Sequence, residues 1–152
     1  MIQSQENATS QKARQKWMAI LARAEADALE EYFEEQGLPV HVVMKKPETG
    51  TVMIEGRAGG SGRRFNFGEA TVTRCVVRVG DTLGFSYALG HDRRKALLAA
   101  VADALLQGEN ATTVMSKLIE PLAARQATAR VIASRKAAAT KVDFFTLVRG
   151  AD

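Results

Sequence analysis

Residues 70–90, ATVTRCVVRVGDTLGFSYALG, decide how this chain folds. β-Branched and aromatic residues run up to Gly80–Asp81 and away from it, the pattern of two antiparallel strands joined by a tight turn. Two registers compete. A two-residue Gly80–Asp81 turn pairs Arg78 with Leu83 and Arg74 with Tyr87, setting charge beside bulky apolar groups. A three-residue loop, Gly80–Asp81–Thr82, pairs Val79 with Leu83, Val77 with Phe85 and Cys75 with Tyr87. The second register sorts the large apolar residues onto one face and leaves Arg74, Arg78 and Ser86 on the other. A slip of one residue exchanges the faces, so the sorted register is the expected one.

Upstream, residues 39–57 predict another hairpin, VHVVMKK and TVMIEGR around the turn chemistry of PETG. A helix precedes it over residues 10–36. Ser10 is its N-cap, Trp17, Leu21, Ala24, Ala28, Leu29 and Phe33 form its apolar stripe, and Gly37 with Pro39 ends it. The stripe drifts near Ala26–Asp27, where a break fits. Downstream, residues 92–107 form an amphipathic helix with Leu97, Val101 and Leu105 at four-residue spacing and Gly108 as the cap. Asn110 or Thr112 starts a further helix, which Pro121 must kink, restart or divide. The chain closes on VDFFTLVRG, an apolar segment with strand character. This order predicts an α+β fold, an antiparallel sheet of about four strands in two hairpins flanked by N-terminal and C-terminal helices.

The 152 residues carry a net charge of +4 and a pI near 9.5, which favours anionic partners without naming one. A single cysteine, Cys75, excludes an internal disulfide and cannot supply the thiolates of an iron–sulfur cluster or structural zinc site. The start of the chain lacks the pattern of a secretory leader, and no window has the length of a membrane span, so a cytoplasmic protein is expected.

Chemistry is sparse. In residues 56–74, GRAGGSGRRFNFGEATVTR, three glycines run into Arg63 and Arg64. A P-loop needs Lys-Ser/Thr and a helix after its last glycine, and a dinucleotide fingerprint needs a glycine where Phe65 stands; both fail. What remains is an anion nest at Gly59, Gly60 and Gly62 beside Arg63 and Arg64, or a plain connection ordered by a partner, the simpler reading. Arg74 and Arg78 share a strand face and suit a phosphate or an acidic partner, although strand arginines are often merely solvated. Cys75 points inward, where a thiol has little reason to ionise, and neither His41 nor His91 stands at ligand or base spacing to it. From Pro121 to Val142 there are five cations (Arg125, Arg130, Arg135, Lys136, Lys141) and no acid. They wander around the helix, with no aromatic among them, so a protein contact fits as well as RNA. Phe144 and Phe145 sit in a segment apolar on both faces, which means burial or a docking surface.

Taken together, ARQKWMAILA (13–22), ETGTVMIEGRAGGSGRRFNFGEATVTRCVVRV (48–79), TLGFSYALGHD (82–92) and DFFTLVRG (143–150) resemble the PhnG subunit family of the bacterial carbon–phosphorus lyase system. The match is collinear over most of residues 12–150. Residues 1–11 carry none of it and are expected to be a flexible N-terminus ahead of one domain over 12–152. The resemblance implies an accessory or scaffold subunit of a cytoplasmic assembly for phosphonate catabolism. That assembly displaces adenine from ATP with methylphosphonate, giving alpha-D-ribose 1-methylphosphonate 5-triphosphate. It implies as partners PhnI, with nucleosidase-like chemistry, PhnH, the iron–sulfur subunit PhnJ, and PhnK and PhnL of ATPase type. It supplies no catalytic residue and no cofactor bound by this chain alone. Arg63 and Arg64 then belong to an interface loop near the polyphosphate. The alternative is a basic nucleic-acid- or phosphate-binding module with no catalytic role.

Overall fold

The computed structural model describes residues 2–142. Within them the chain runs α1 (Ile2–Ala22), α2 (Ala26–Gln36), β1 (Val42–Arg57), β2 (Arg64–Val79), β3 (Thr82–Leu89), α3 (Arg93–Leu106), α4 (Ala111–Val114) and α5 (Glu120–Ala139). The class is α+β, as expected, with one antiparallel sheet in the order β1–β2–β3. The closing VDFFTLVRG lies almost wholly outside the described residues.

Among the described residues three strands stand where four were expected. PETG is not a turn: Pro47–Gly50 lies inside β1, which is continuous over 16 residues. Lys45 pairs with Val76 and Glu48 with Arg74, so β1 carries one extra residue there. The resulting bulge absorbs Pro47, and β1 is an edge strand, where the missing N–H costs no ladder bond. The hairpin turn is instead the glycine-rich stretch, which joins β1 to β2.

The sorted register is also overturned. Val79 pairs with Thr82, Arg78 with Leu83, Val76 with Phe85 and Arg74 with Tyr87, around a two-residue Gly80–Asp81 loop. Gly80 takes φ 58°, the positive angle that such a loop demands. The helix beneath β3 explains the choice. On the core face β3 presents Gly84, Ser86 and Ala88, all buried, to alanine-rich α3. A Cβ on Gly84 would lie 2.0 Å from the Ala100 carbonyl oxygen and 2.8 Å from Ala104. Close approach of helix to strand requires the small residues there and turns Leu83, Phe85, Tyr87 and Leu89 outward.

α3 is the centre of the molecule. Asp92 caps it by accepting from the Lys95 N–H at 2.9 Å. Leu98, Ala99, Ala100, Val101 and Ala102 are buried at consecutive positions. It is thus enclosed rather than amphipathic, and Leu97 and Leu105 of the expected stripe are only partly buried. Its side chains also close the open edge of β3. Asp103 accepts from the Phe85 N–H at 2.9 Å, Gln107 donates to the Leu83 carbonyl at 2.9 Å, and Lys95 donates to the Leu89 carbonyl at 3.0 Å. An edge strand so occupied offers few free groups to a foreign strand.

The N-terminal helix extends upstream of Ser10 to Ile2 and breaks at residues 23–25, close to the expected point. Trp17, Leu21, Ala24, Leu29 and Phe33 are core residues, and Gly37 ends α2 at φ 85°. Before Pro121 the helix widens into a π turn, Met115–Ile119, in which the Glu120 N–H reaches back to the Met115 carbonyl. That widening accommodates the proline without breaking the path. Among the described residues no helix is long and apolar enough to cross a membrane.

Candidate functional site

β1 and β2 outrun β3. Leu89, the last residue of β3, pairs with Val72, and beyond it seven register pairs from Thr51↔Thr71 to Arg57↔Arg64 continue as a two-stranded ribbon. At strand spacing this arm reaches about 20–25 Å past the third strand. Its tip is Ala58–Arg63. Gly59 and Gly60 take φ 61° and 83°, and the turn closes through Gly62 N–H to the Ala58 carbonyl at 2.8 Å and Ala58 N–H to the Arg63 carbonyl at 3.3 Å. Gly62 is held close: a Cβ there would meet the Ala58 carbonyl oxygen at 2.4 Å.

Three arginines stand at this tip. Arg64 approaches Glu55 at 3.8 Å and Arg57 approaches the Gly62 carbonyl at 3.5 Å, while Arg63 makes no ion pair among the described residues. Arg74 and Arg78 are elsewhere. They lie ten and fourteen residues further along the same strand, roughly 35 and 45 Å from Arg64 at strand spacing, so the two arginine groups cannot hold one small anion. Arg74 shares Glu48 with Lys45, at 3.5 and 3.2 Å. The Glu48 carboxyl is held below its usual range by the hydrogen bond and charge of Lys45, then by Arg74. Arg78 has no counter-ion among the described residues and pairs across the strands with Val42 and Leu83.

Alternation sorts the arm and sheet into two faces. Outward, away from α3, face Leu83, Tyr87 and Leu89 of β3, Val52 of β1, and Phe65 and Phe67 of β2, between 39% and 59% exposed, with α1 beside Phe85 and Tyr87 through Gln11, Arg14 and Met18. The Phe67 ring lies over Gly56, and its centroid is 5.9 Å from that of Phe65. Phe67 is itself a bulge residue, since Ile54 pairs with Gly68 and Glu55 with Asn66. Residue-by-residue inspection for chemistry misses this face. The alternation of large and small side chains in LGFSYAL, and FNF at 65–67, were the signals for it.

Reactive groups are few. Cys75 is buried, its Sγ 3.4 Å from the Lys45 carbonyl, and burial pushes the thiol above its ordinary pKa. The Nδ1 of His41 lies 2.8 Å from the Pro39 carbonyl. Among the described residues no cluster of His, Cys, Asp or Glu could hold a metal ion. A recess of about 350 Å³ between α2 and α4 is lined by Tyr32, Phe33, Leu38, Leu105 and Thr113 with no charged side chain. Asp103, the one fully buried acid among the described residues, receives Arg14 Nε and a terminal guanidinium nitrogen at 3.2 and 2.7 Å, Trp17 Nε1 at 2.8 Å, the Phe85 N–H and Gln107. Those partners tie α1, β3 and α3 together and leave the carboxylate no access to a substrate. Phe144 and Phe145 lie outside the described residues.

The family described as phosphonate metabolism protein PhnG matches residues 12–150. The alpha-D-ribose 1-methylphosphonate 5-triphosphate synthase subunit PhnG of Rhizobium meliloti (strain 1021) is 40% identical over 141 residues, covering 91% of this chain and 90% of that protein.

Proposed function

The chain belongs to the PhnG family of phosphonate metabolism proteins, and from that premise we propose that it is an accessory, scaffold subunit of the synthase that makes alpha-D-ribose 1-methylphosphonate 5-triphosphate. The observation that carries this reading is the 40% identity, sustained over nine-tenths of both chains, to a subunit of that synthase. In the reaction a phosphonate oxygen forms a bond to C1′ of ATP as the bond to adenine breaks, and adenine leaves. The described residues offer no convergent acid, base and anion site for that displacement. They offer projecting elements.

The partners follow as part of the same proposal. PhnI supplies the nucleosidase-like chemistry, with PhnH and PhnJ in the core and PhnK and PhnL as ATPase-type proteins, in the cytoplasm. This chain holds no cofactor of its own. The arm tip, with Arg57, Arg63 and Arg64 at the end of an apolar ribbon, fits an interface loop placed beside the polyphosphate of a companion's substrate. Phe144 and Phe145 serve as a second docking element.

Adenine release tests the reading. The isolated chain, given ATP and methylphosphonate, is expected to release none, and the co-expressed assembly to release adenine only when the chain is present. Adenine release by the isolated chain, or full turnover by an assembly without it, would overturn the proposal. Arg63→Ala with Arg64→Ala is expected to leave the fold intact and to lower assembly or turnover at least about tenfold. Unchanged values for both would remove the tip from the mechanism. Truncation after Lys141 is expected to release the chain from its partners, and continued co-elution would remove the terminal docking element.

A further inference from the structure

A three-stranded antiparallel sheet with helices on one side ordinarily shows polar residues to water on the other. Here the side away from α3 carries an apolar strip, Leu83, Leu89 and Val52 running to Phe65 and Phe67, interrupted by Arg74 and Arg78. It is flanked at Tyr87 by α1, whose Arg14 lies 5.5 Å from the centroid of the Phe85 ring. β2 spans it with 16 residues. At strand dimensions this is a strip of roughly 50 Å by 10–14 Å, or about 600 Å² in projection. With its charged residues included, that approaches the ~800 Å² that each partner contributes to a stable interface. The arm half of the strip has no third strand, and a two-stranded ribbon is marginal in water by itself.

Charge says what covers it. The same face holds Lys45, Arg74 and Arg78 against Glu48 alone, three cations less one anion, for a net +2. A second copy would bring +2 against +2 and is disfavoured. A membrane would have to take Arg74 into hydrocarbon, since it stands within the strip between Tyr87 and Glu48. A protein surface can supply apolar area and a carboxylate together. We propose that the face of the sheet turned away from α3, with its arm, forms one docking surface for a companion protein chain of the synthase, a partner that is apolar over most of its contact and carries a carboxylate opposite Arg78. The aromatic pair Phe65–Phe67 is its anchor, aromatic side chains being enriched at interfaces. This inference rests on the subunit reading above and deepens it by naming the surface.

The test uses the full chain co-expressed with the companion subunits, and two variants at exposed positions: Phe65→Asp with Phe67→Asp, and Arg78→Glu. The wild-type chain is expected to co-elute with the assembly. The double variant should bind at least about 100-fold more weakly and Arg78→Glu at least about tenfold, with the Tm of the free chain unchanged in each. Co-elution of both variants with undiminished affinity overturns the docking surface and leaves the subunit reading standing. Failure of the wild-type chain to co-elute overturns the subunit reading itself. A fall in the free chain's Tm in the double variant means that the chain's own residues cover the face, and overturns the proposal. A variant that turns a free dimer into monomer, or abolishes binding to vesicles containing 20% phosphatidylserine, overturns it in favour of a second copy or a membrane.

Discussion

Asp103 gathers donors from three segments of the chain and has no solvent exposure. Removing it in Asp103→Ala strands the Trp17 indole N–H and the Phe85 amide, each in buried or partly buried surroundings. The Arg14 side chain is 35% exposed and can turn to water, so its share of the loss is discounted. The expected cost is about 2–4 kcal/mol, read as a lower urea midpoint at unchanged slope. A midpoint equal to that of the wild type would show that water replaces the carboxylate. This was not legible in the sequence: the helix reads as amphipathic there, and only its enclosure in the fold leaves Asp103, the sole acid in RRKALLAAVADALL, needing a partner. Nor was the partner legible, because Trp17 and Arg14 lie 86 and 89 residues away. Cys75 was read correctly as inward-facing. It points to the core in either register of the hairpin, because its own strand alternates around it.

The pairing of β2 with β3 carries a different lesson. Gathering large apolar residues onto one face treats a sheet as if its core were filled by its own side chains. Here the core face of β3 is filled by α3, and the strand contributes the room. Gly84→Ala tests this directly, since the new methyl would occupy the space of the Ala100 carbonyl and Ala104. Overpacking of this kind is expected to lower Tm by roughly 5–10 °C. Gly68→Ala, on the outward arm with nothing within 4 Å, should shift it by about 2 °C at most. Equal effects at the two glycines would mean that helix and strand are not in close register. The pattern was present in the sequence as LGFSYAL facing an alanine-rich helix, but its meaning depends on a neighbour encoded after it. PETG failed similarly. Turn and edge bulge use the same residues, and only the distant partner strand distinguishes them.

At the scale of the molecule, a compact centre around α3 bears two extensions, the β1–β2 arm and α5. Leu122 is the buried residue of α5, and Gln126 donates to the Ile20 carbonyl at 2.9 Å. Beyond that anchor every residue from Ala127 to Val142 is exposed, including Val131 and Ile132 at about half their surface. The helical part, Ala127–Ala139, is about 20 Å of helix without tertiary support. The four cations of α5, Arg125, Arg130, Arg135 and Lys136, make no ion pair among the described residues. A helix of this length held only at its root sits near the margin of stability in water, because tertiary packing supplies most helical stability. In the free chain the amides of residues 130–139 should therefore exchange with protection factors within about tenfold of unity, while those of α3 follow global unfolding. Assembly with the companion subunits should slow the same amides at least about tenfold, because docking adds the packing that the isolated helix lacks. The direction separates two explanations of the exposed cations. A helix recruited electrostatically by a polyanion would lose that protection steeply as salt is raised. A helix seated in a protein groove through Val131, Ile132 and its alanines would keep most of it. Strong protection in the free chain would show that α5 already has a partner within its own fold, and the extension would then belong to the domain rather than to an assembly.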